Sequence, residues 1–301
     1  MRGLGVQSWL SGLPDVVVVL CSLVTQLGDV WFLTLLVLST YWFGPQLPRV
    51  GDAIDRERAA VAAGVLLAGF AVVAVGKPAF ELPRPPGAGQ ASPTALVPDL
   101  LWPLYEHLST GTGRGFPSGH AVGSTTAFGG LAWAIGTDRR RRRVAIAAGL
   151  IGIVSLSRLV LGLHYLVDVL AGVGFGVVVL AVAIWLRSPA RVFGFGALIA
   201  AVGIAAVGPL SDVVLVAGVT AGAWLGWIAV GDELTGPQTQ EGAAATATVG
   251  VVSGGPLLIA VEVVSTTAVT AGVAAFVGGL AVVTMPLLGE RVAKRIGGRK
   301  V

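Results

Sequence analysis

Residues 144–186 read VAIAAGLIGIVSLSRLVLGLHYLVDVLAGVGFGVVVLAVAIWL. Nearly every side chain in this stretch is apolar, and one membrane-spanning helix needs about 20 such residues. The stretch therefore predicts two spanning helices joined near its middle. Its ionisable side chains, Arg158, His164 and Asp168, all lie close to that junction. Because ionisable groups in a spanning segment are costly, these three are candidates for function.

The whole chain has the composition of a membrane protein. Its 301 residues are 54% hydrophobic and 12% charged, with a mean hydropathy of +0.84, whereas soluble domains are about 25% charged. This excludes a soluble globular protein and predicts an all-α, polytopic transmembrane bundle. The net charge of +4 resides largely in clusters beside apolar stretches, so it indicates membrane topology and not nucleic-acid binding. Cys21, the single cysteine, excludes an intramolecular disulfide or a cysteine-rich metal site.

Apolar segments predict roughly nine helices that span the membrane or lie on it. The first segment, residues 16–43, is interrupted by polar residues and glycine at 25–29. It is either one long helix or a surface helix followed by a span from about Asp29. The second interpretation is favoured, because an aspartate inside the membrane needs a partner. The other predicted spans are 58–77, 119–136, 144–163, 165–186, 191–208, 212–230, 248–264 and 267–288.

A basic loop at residues 138–143 sets the predicted orientation. It contains five consecutive arginines, Arg139–Arg143, and short cytoplasmic loops are enriched in Lys and Arg. The loop is therefore predicted to be cytoplasmic, and alternation along the chain places the C-terminus inside as well. The same alternation places segment 78–118 and the turn near residue 164 outside. Within that segment, residues 99–108 are predicted to form a short amphipathic helix on the membrane surface.

Ionisable residues gather on the predicted outer side. His164 and Asp168 are four residues apart and hence on one face of a helix, where a carboxylate can hold the proton-bearing nitrogen of an imidazole. Arg158 lies across the turn from them. Lys77 and Arg84 bracket the outer end of another predicted span. These spacings predict that cations, a carboxylate and an imidazole converge at one end of the bundle.

The sequence Pro117-Ser118-Gly119-His120 opens the predicted helix 119–136 on the same side. A helix N-terminus has free N–H groups and the positive end of the dipole, both of which favour an anion. Gly119 lets such an anion approach the backbone closely. With three cations and two histidines nearby, this pattern predicts a site for a tetrahedral oxyanion such as a phosphoryl group.

Three motifs together are similar to a known signature. They are Lys77–Pro85 (K-x6-R-P), Pro117–His120 (P-S-G-H) and Ser157–Asp168 (S-R-x5-H-x3-D). In this order and spacing they resemble the signature of the type 2 phosphatidic acid phosphatase superfamily, which includes lipid phosphate phosphatases, undecaprenyl pyrophosphate phosphatases and glucose-6-phosphatase. The resemblance covers about residues 25–188. It implies a six-helix core like that of these phosphatases and of vanadium haloperoxidases, with about four further C-terminal spans.

The resemblance also implies a role for each motif residue. His164 would attack phosphorus, Asp168 would orient and activate it, and His120 would protonate the departing oxygen. No metal and no cofactor is implied. The implied phosphate-binding residues are Lys77, Arg84, Ser118, Gly119 and Arg158.

The implied activity is hydrolysis of a lipid phosphomonoester or isoprenoid pyrophosphate through a phosphohistidine, at the extracytoplasmic face. Its partners would be that lipid and the bilayer. Two alternatives stay open: a transporter or other non-enzymatic membrane protein with a phosphatase-like half, and a vanadate-dependent haloperoxidase. Arg114 either reaches a second phosphate or faces water, and His107 has no expected role.

Composition divides the chain near Pro189. Residues 192–289 contain neither Lys nor Arg, whereas the preceding part holds most of the polar motifs. We expect a phosphatase-like domain over residues 1–189, with its core at about 25–188. Residues 190–301 are expected to form a C-terminal transmembrane extension.

Overall fold

The fold is all-helical, as expected from the sequence. Among the residues that the structure describes there is no strand. Two isolated β-bridges join Ile54 with Ile135 and Pro83 with Arg114. The computed structural model describes residues 4–10, 12–47, 51–136, 139–236, 238–250, 252 and 267–297.

The helices described from end to end are α1 (Val6–Leu10), α2 (Asp15–Val24), α3 (Val30–Phe43), α4 (Arg56–Phe80), α5 (Trp102–Ser109), α6 (Gly119–Ala134), α7 (Arg140–Val160), α8 (Leu166–Leu186), α9 (Pro189–Val207), α10 (Ser211–Leu234) and α11 (Ala268–Gly297). Within the described residues, six helices are long and apolar enough to cross a membrane, namely α4 and α7 to α11, so the chain is a multi-pass membrane protein. A seventh crossing results if α2 and α3, which meet at a 44° bend, form one span.

Two predicted spans differ from this set. The helix predicted over 119–136 forms as α6, but at 16 residues it is shorter than the six long helices. The span predicted over 248–264 lies almost wholly outside the described residues. Described residues 240–250 are helical.

The helix ends near the bend follow local sequence signals. The break at residues 25–29 is a short 3-10 helix, Thr25–Gly28, followed by Asp29. Asp29 is the N-cap of α3, because its carboxylate accepts a hydrogen bond from the N–H of Trp31 at 3.3 Å. Asp55 caps α4 in the same way, at 3.1 Å from the N–H of Glu57. The predicted start of a helix near Asp29 is therefore confirmed.

Helix α6 lies at the centre of the N-terminal half, packed against α4, α7 and α8. Small residues let these helices approach closely, as is common between transmembrane helices. A Cβ atom at Gly172 of α8 would lie 2.8 Å from the carbonyl oxygen of Ser118, and one at Gly176 would lie 2.6 Å from Thr125. The start of α6 is thereby held directly against the start of α8.

The segment between α4 and α6 folds back onto the end of α4. The N–H of Gly115 donates to the carbonyl of Leu82 at 2.8 Å, beside the bridge between Pro83 and Arg114. The amphipathic helix predicted over 99–108 is confirmed as a 3-10 turn, Asp99–Leu101, followed by α5. This arrangement brings Gly115 and the residues after Leu82 next to the α7–α8 turn.

Candidate active site

A cavity of about 190 Å³ lies where α4, α6 and the α7–α8 turn meet. The two predicted site residues that do not line it, Ser118 and Asp168, are fully buried. The cavity is lined by Gly28, Val30, Phe70, Val73, Lys77, Arg84, Gly119, His120, Arg158 and His164. The fold therefore brings together residues from all three sequence motifs.

His164 lies in the turn between α7 and α8 and is 1% exposed. Its Nδ1 is 2.7 Å from the carbonyl oxygen of Gly115. Because a carbonyl can only accept, Nδ1 carries the proton and Nε2 keeps its lone pair. The Nη1 of Arg84 lies 3.1 Å from that Nε2. Burial, together with the charges of Arg158 and Arg84, lowers the pKa of His164 against the raising effect of Asp168, so the imidazole is neutral at pH 7.

Asp168 stands behind the same imidazole. Its Oδ2 is 3.8 Å from Nδ1 of His164 and accepts a hydrogen bond from the N–H of Tyr165 at 3.0 Å. The prediction that both residues share one face of a helix is wrong, because α8 begins at Leu166 and His164 lies in the turn before it. The turn nevertheless brings carboxylate and imidazole together, and the nearer acceptor for Nδ1 is the carbonyl of Gly115. Sequence reasoning missed that carbonyl, because any residue type supplies one.

Gly115 has a steric reason to be glycine. A Cβ atom there would lie 2.9 Å from the carbonyl oxygen of Pro83 and 3.1 Å from Cα of Arg84. Only a residue without a side chain lets these two backbone segments pass so closely. The absence of a side chain at Gly115 therefore places both its own carbonyl and Arg84 beside His164.

Backbone carbonyls hold the guanidinium of Arg84. Its Nε donates to the carbonyl of Thr112 at 2.9 Å, and Nη1 donates to that of Leu163 at 2.9 Å. Arg158 is 5% exposed and donates from Nη1 to Oγ1 of Thr25 at 2.8 Å. Both cations are thus fixed in direction before any ligand binds. Lys77, near the end of α4, supplies a third positive charge.

The start of α6 reaches the cavity at Gly119, whereas the preceding Ser118 is buried and does not line it. Ser118 precedes the helix, and its N–H donates to the backbone carbonyl of Asp168 at 3.1 Å. Its hydroxyl is buried and has no hydrogen-bond partner among the described residues. Gly119, the first residue of α6, lines the cavity. An anion in the cavity would face the positive end of this helix.

His120 approaches the cavity from α6, across from His164. Its Nε2 is buried, has no hydrogen-bond partner in the described part of the chain, and lies 3.8 Å from Oδ2 of Asp29. Gly28 packs directly against the ring, since a Cβ atom there would be 3.2 Å from Cδ2 of His120. The contacts of Thr25, Gly28 and Asp29 with this site were not predicted.

The model of the PAP2 superfamily, the type 2 phosphatidic acid phosphatases, matches residues 58–191. This chain contains a PAP2-superfamily domain. The resemblance inferred from the three motifs is thereby confirmed, and a PAP2 domain in a multi-pass membrane protein is consistent with a phosphatase-type function. No curated protein and no solved structure matches the chain. The matched range contains every predicted site residue, whereas residues 25–29 lie outside it.

Two further residues of the PAP2 domain lie outside the cavity. Arg114 forms an ion pair with Glu81 at 2.7 Å and, with Lys77, lines a neighbouring cavity of about 360 Å³. His107 is exposed on α5. Within the described ranges, no group of three or more His, Cys, Asp or Glu side chains is arranged to hold a metal ion.

Proposed function

We propose that this protein is a membrane phosphatase that hydrolyses a lipid phosphomonoester or an isoprenoid diphosphate through a phosphohistidine on His164. The observation that carries the proposal is which nitrogen of His164 holds the proton. The carbonyl of Gly115 holds the proton of His164 on Nδ1. The Nε2 lone pair lies next to the guanidinium of Arg84, one of the cations that line the cavity. A neutral imidazole fixed in this way is a competent nucleophile near pH 7.

In the first step, Nε2 of His164 forms a bond to phosphorus as the bond from phosphorus to the leaving oxygen breaks. His120 donates a proton to that oxygen, so the product leaves as an alcohol or a phosphate ester. Positive charge develops on His164 as the bond to phosphorus forms. The carbonyl of Gly115 and the carboxylate of Asp168, on the Nδ1 side, stabilise that charge.

The three cations and the start of α6 are proposed to bind the non-bridging oxygens. Arg84 and Arg158 are already oriented by Thr112, Leu163 and Thr25. Donors fixed in advance cost no reorganisation when charge moves onto those oxygens in the transition state. In this proposal Ser118 contributes its unpartnered hydroxyl and Gly119 its N–H.

In the second step, water attacks the phosphohistidine. His120, neutral after the first step, accepts a proton from the water while the bond from phosphorus to Nε2 breaks. Inorganic phosphate is released and both histidines return to their starting states. Each of the two displacements is easier than direct attack of water on the ester.

The lining of the cavity supports a lipid substrate. Val30, Phe70 and Val73 contribute apolar side chains to the same lining as the cations. Val30, at the start of α3, is 59% exposed. A phosphate attached to a hydrocarbon chain can place its headgroup among the cations and its first methylene groups against these side chains.

Phosphate release by the purified protein tests the function. Phosphatidate, phosphatidylglycerol phosphate and a polyprenyl diphosphate are each supplied in mixed micelles, with glucose 6-phosphate as the soluble comparison. We expect turnover of at least one lipid, a much lower kcat/KM for glucose 6-phosphate, and a ³²P-labelled histidine adduct that is absent from His164→Ala. No turnover of any substrate, or equal turnover by His164→Ala, would contradict the proposal.

We further propose that the site faces the outside of the cell and that the arginine-rich loop is cytoplasmic. In a Cys21→Ser background, Gly89→Cys places a thiol at an exposed position where a Cβ has open space. This cysteine should react with a membrane-impermeant maleimide in intact cells, whereas Arg141→Cys should react only after permeabilisation. The reverse pattern would move the proposed chemistry to the cytoplasmic face.

A further inference from the structure

The bend between α2 and α3 reaches the candidate active site. It consists of the five residues Thr25-Gln26-Leu27-Gly28-Asp29, a short 3-10 helix followed by the N-cap of α3. We call these residues the bend segment. It lies N-terminal to the range matched by the PAP2 model, and three of its residues contact or line the candidate site.

Thr25 is the first of these contacts. It is fully buried, and its Oγ1 accepts the hydrogen bond from Nη1 of Arg158 at 2.8 Å. The Nε of Arg158 has no partner among the described residues. Thr25 is therefore the hydrogen-bond acceptor that fixes the direction of this buried guanidinium.

Gly28 and Asp29 make the second contact, with His120. Gly28 lines the cavity, and a Cβ atom on it would overlap Val154 and lie 3.2 Å from Cδ2 of His120. A residue without a side chain at this position lets the bend segment approach the imidazole closely. Asp29 follows, with its Oδ2 3.8 Å from the buried Nε2 of His120.

A buried imidazole needs a partner for its charged form, since an isolated charge away from water is costly. His120 must be an imidazolium to protonate a leaving oxygen. The cations of the site oppose that charge, whereas the carboxylate of Asp29 supports it. Catalytic contacts are often long in the absence of substrate and tighten when it binds, so 3.8 Å is close enough for such a pair to form.

We propose that the bend segment is a fourth site-forming segment, in which Asp29 is a positioning residue for His120 and Thr25 is a positioning residue for Arg158. Asp29 holds the N–H on Nε2 of His120, so that the proton on Nδ1 passes to the leaving oxygen. After that transfer His120 is neutral and keeps its Nε2 proton toward Asp29. This inference rests on the proposed phosphatase function.

The role of Asp29 is tested by substrates with different leaving groups. Asp29→Asn keeps the shape of the side chain, and Asp29→Ser keeps an N-cap for α3 while removing the charge. For an alkyl lipid phosphate we expect kcat to fall about 10- to 100-fold in both variants. This loss does not exceed the low end of the 10²–10⁴-fold that a general acid contributes. KM should change less than about threefold, and the loss on p-nitrophenyl phosphate should be at least about fivefold smaller, because that leaving group hardly needs a proton.

Asp15→Asn is the matched control, since it removes an acidic side chain from the start of α2, at the end of that helix far from the bend segment. It should leave both substrates unaffected. Equal losses of kcat on the two substrates in the Asp29 variants, or no loss on the alkyl phosphate, would overturn the role of Asp29. If the wild-type protein hydrolyses neither substrate, the proposed function itself fails, which is a distinguishable result.

The role of Thr25 is tested by affinity for a phosphate analogue. Thr25→Val removes the acceptor while keeping the shape, and Thr25→Ser retains the hydroxyl. We expect the inhibition constant of orthovanadate and the KM for substrate to rise about tenfold in Thr25→Val, because a hydrogen bond to a buried charge is lost. Thr25→Ser should restore both to within about threefold of wild type. Equal values for Thr25→Val and wild type, or no rescue by Thr25→Ser, would overturn this part of the proposal.

Discussion

From α4 to α8 the protein buries the ionisable side chains Arg56, Arg158, His164 and Asp168, whereas from α9 to α11 the buried polar side chains among the described residues are the hydroxyls of Thr220 and Thr246. Both threonines donate to carbonyls of their own helices. The N-terminal region thus carries the cost of buried charge, while the C-terminal region carries almost none. Buried charge in a membrane protein is expensive. Three of these four side chains, Arg158, His164 and Asp168, belong to the candidate site, which supports the proposal that the chemistry lies in the N-terminal region.

The C-terminal region uses its small residues for packing. On α10, a Cβ atom at Gly222 would overlap the carbonyl oxygen of Phe276, and on α11 one at Gly279 would overlap that of Val219. These two helices therefore touch backbone to backbone. The region also packs on the N-terminal one, since the Tyr41 hydroxyl of α3 donates to the carbonyl of Val283 at 2.7 Å. We propose that residues 190–301 support the phosphatase domain of residues 1–189 without supplying reacting groups.

The largest effect is expected from His164→Ala. Turnover should fall by at least about 10³-fold, because the nucleophile is removed, while the melting temperature in detergent should remain close to that of wild type. His107→Ala removes an exposed histidine of the segment between α4 and α6 and is the matched control, with activity unchanged. Phosphate release measures both. Retention of more than about a tenth of wild-type activity by His164→Ala would mean that the nucleophile lies elsewhere.

The opposite behaviour is expected from Gly222→Ala in the C-terminal region. The added methyl group forces α10 and α11 apart, and overpacking of this kind costs about 1–3 kcal/mol of unfolding free energy. Thermal unfolding in detergent should show a lower midpoint, while turnover per folded molecule stays the same. Gly149→Ala of α7, where a Cβ would meet open space, should not lower the midpoint. A selective loss of turnover in Gly222→Ala would show that the C-terminal region takes part in the chemistry.

A smaller effect is expected from acidification. Burial lowers the pKa of His164, so this residue stays neutral and nucleophilic below the ordinary histidine pKa of about 6.5. As pH falls from 7 toward 5, kcat/KM should not show the loss with a midpoint near pH 6.5 that protonation of an ordinary histidine would cause. The unfolded chain binds this proton more readily than the folded one, so His164 lowers folded stability as pH falls below about 6.5 and has no effect above it. His164→Gln should therefore lose less stability than wild type between pH 7 and 5.

The smallest effect is expected from chelation. EDTA should change turnover less than about twofold, because the proposed charges at the phosphate come from Lys77, Arg84 and Arg158 and not from a metal ion. Orthovanadate should inhibit, since it resembles phosphorus during in-line attack. An inactive chelated enzyme that Mg²⁺ restores would contradict this assignment and would require a metal ligand set in the N-terminal region.

Hydropathy and residue spacing were enough to predict the class of protein and the parts of the site that are local. Long apolar segments need lipid, so the all-helical membrane fold follows from hydropathy. The proximity of His164 and Asp168 was predictable from their closeness along the chain, although His164 lies in the turn before α8 and not on the helix as expected. The grouping of the three motifs follows from the alternation of spans. The helix break before Asp29 was also readable, because polar residues and glycine interrupt an apolar run.

The groups that complete the site from distant parts of the chain became visible in the folded protein. The carbonyl of Gly115 fixes the proton of His164, and no side-chain pattern marks a carbonyl. Thr25 meets Arg158 and Asp29 meets His120 only because the bend between α2 and α3 is packed against α6 and α7. Hydropathy and spacing report on neighbours along the chain, whereas these contacts depend on how whole helices pack. That packing is set by the summed shapes of many small side chains, and no single motif encodes it.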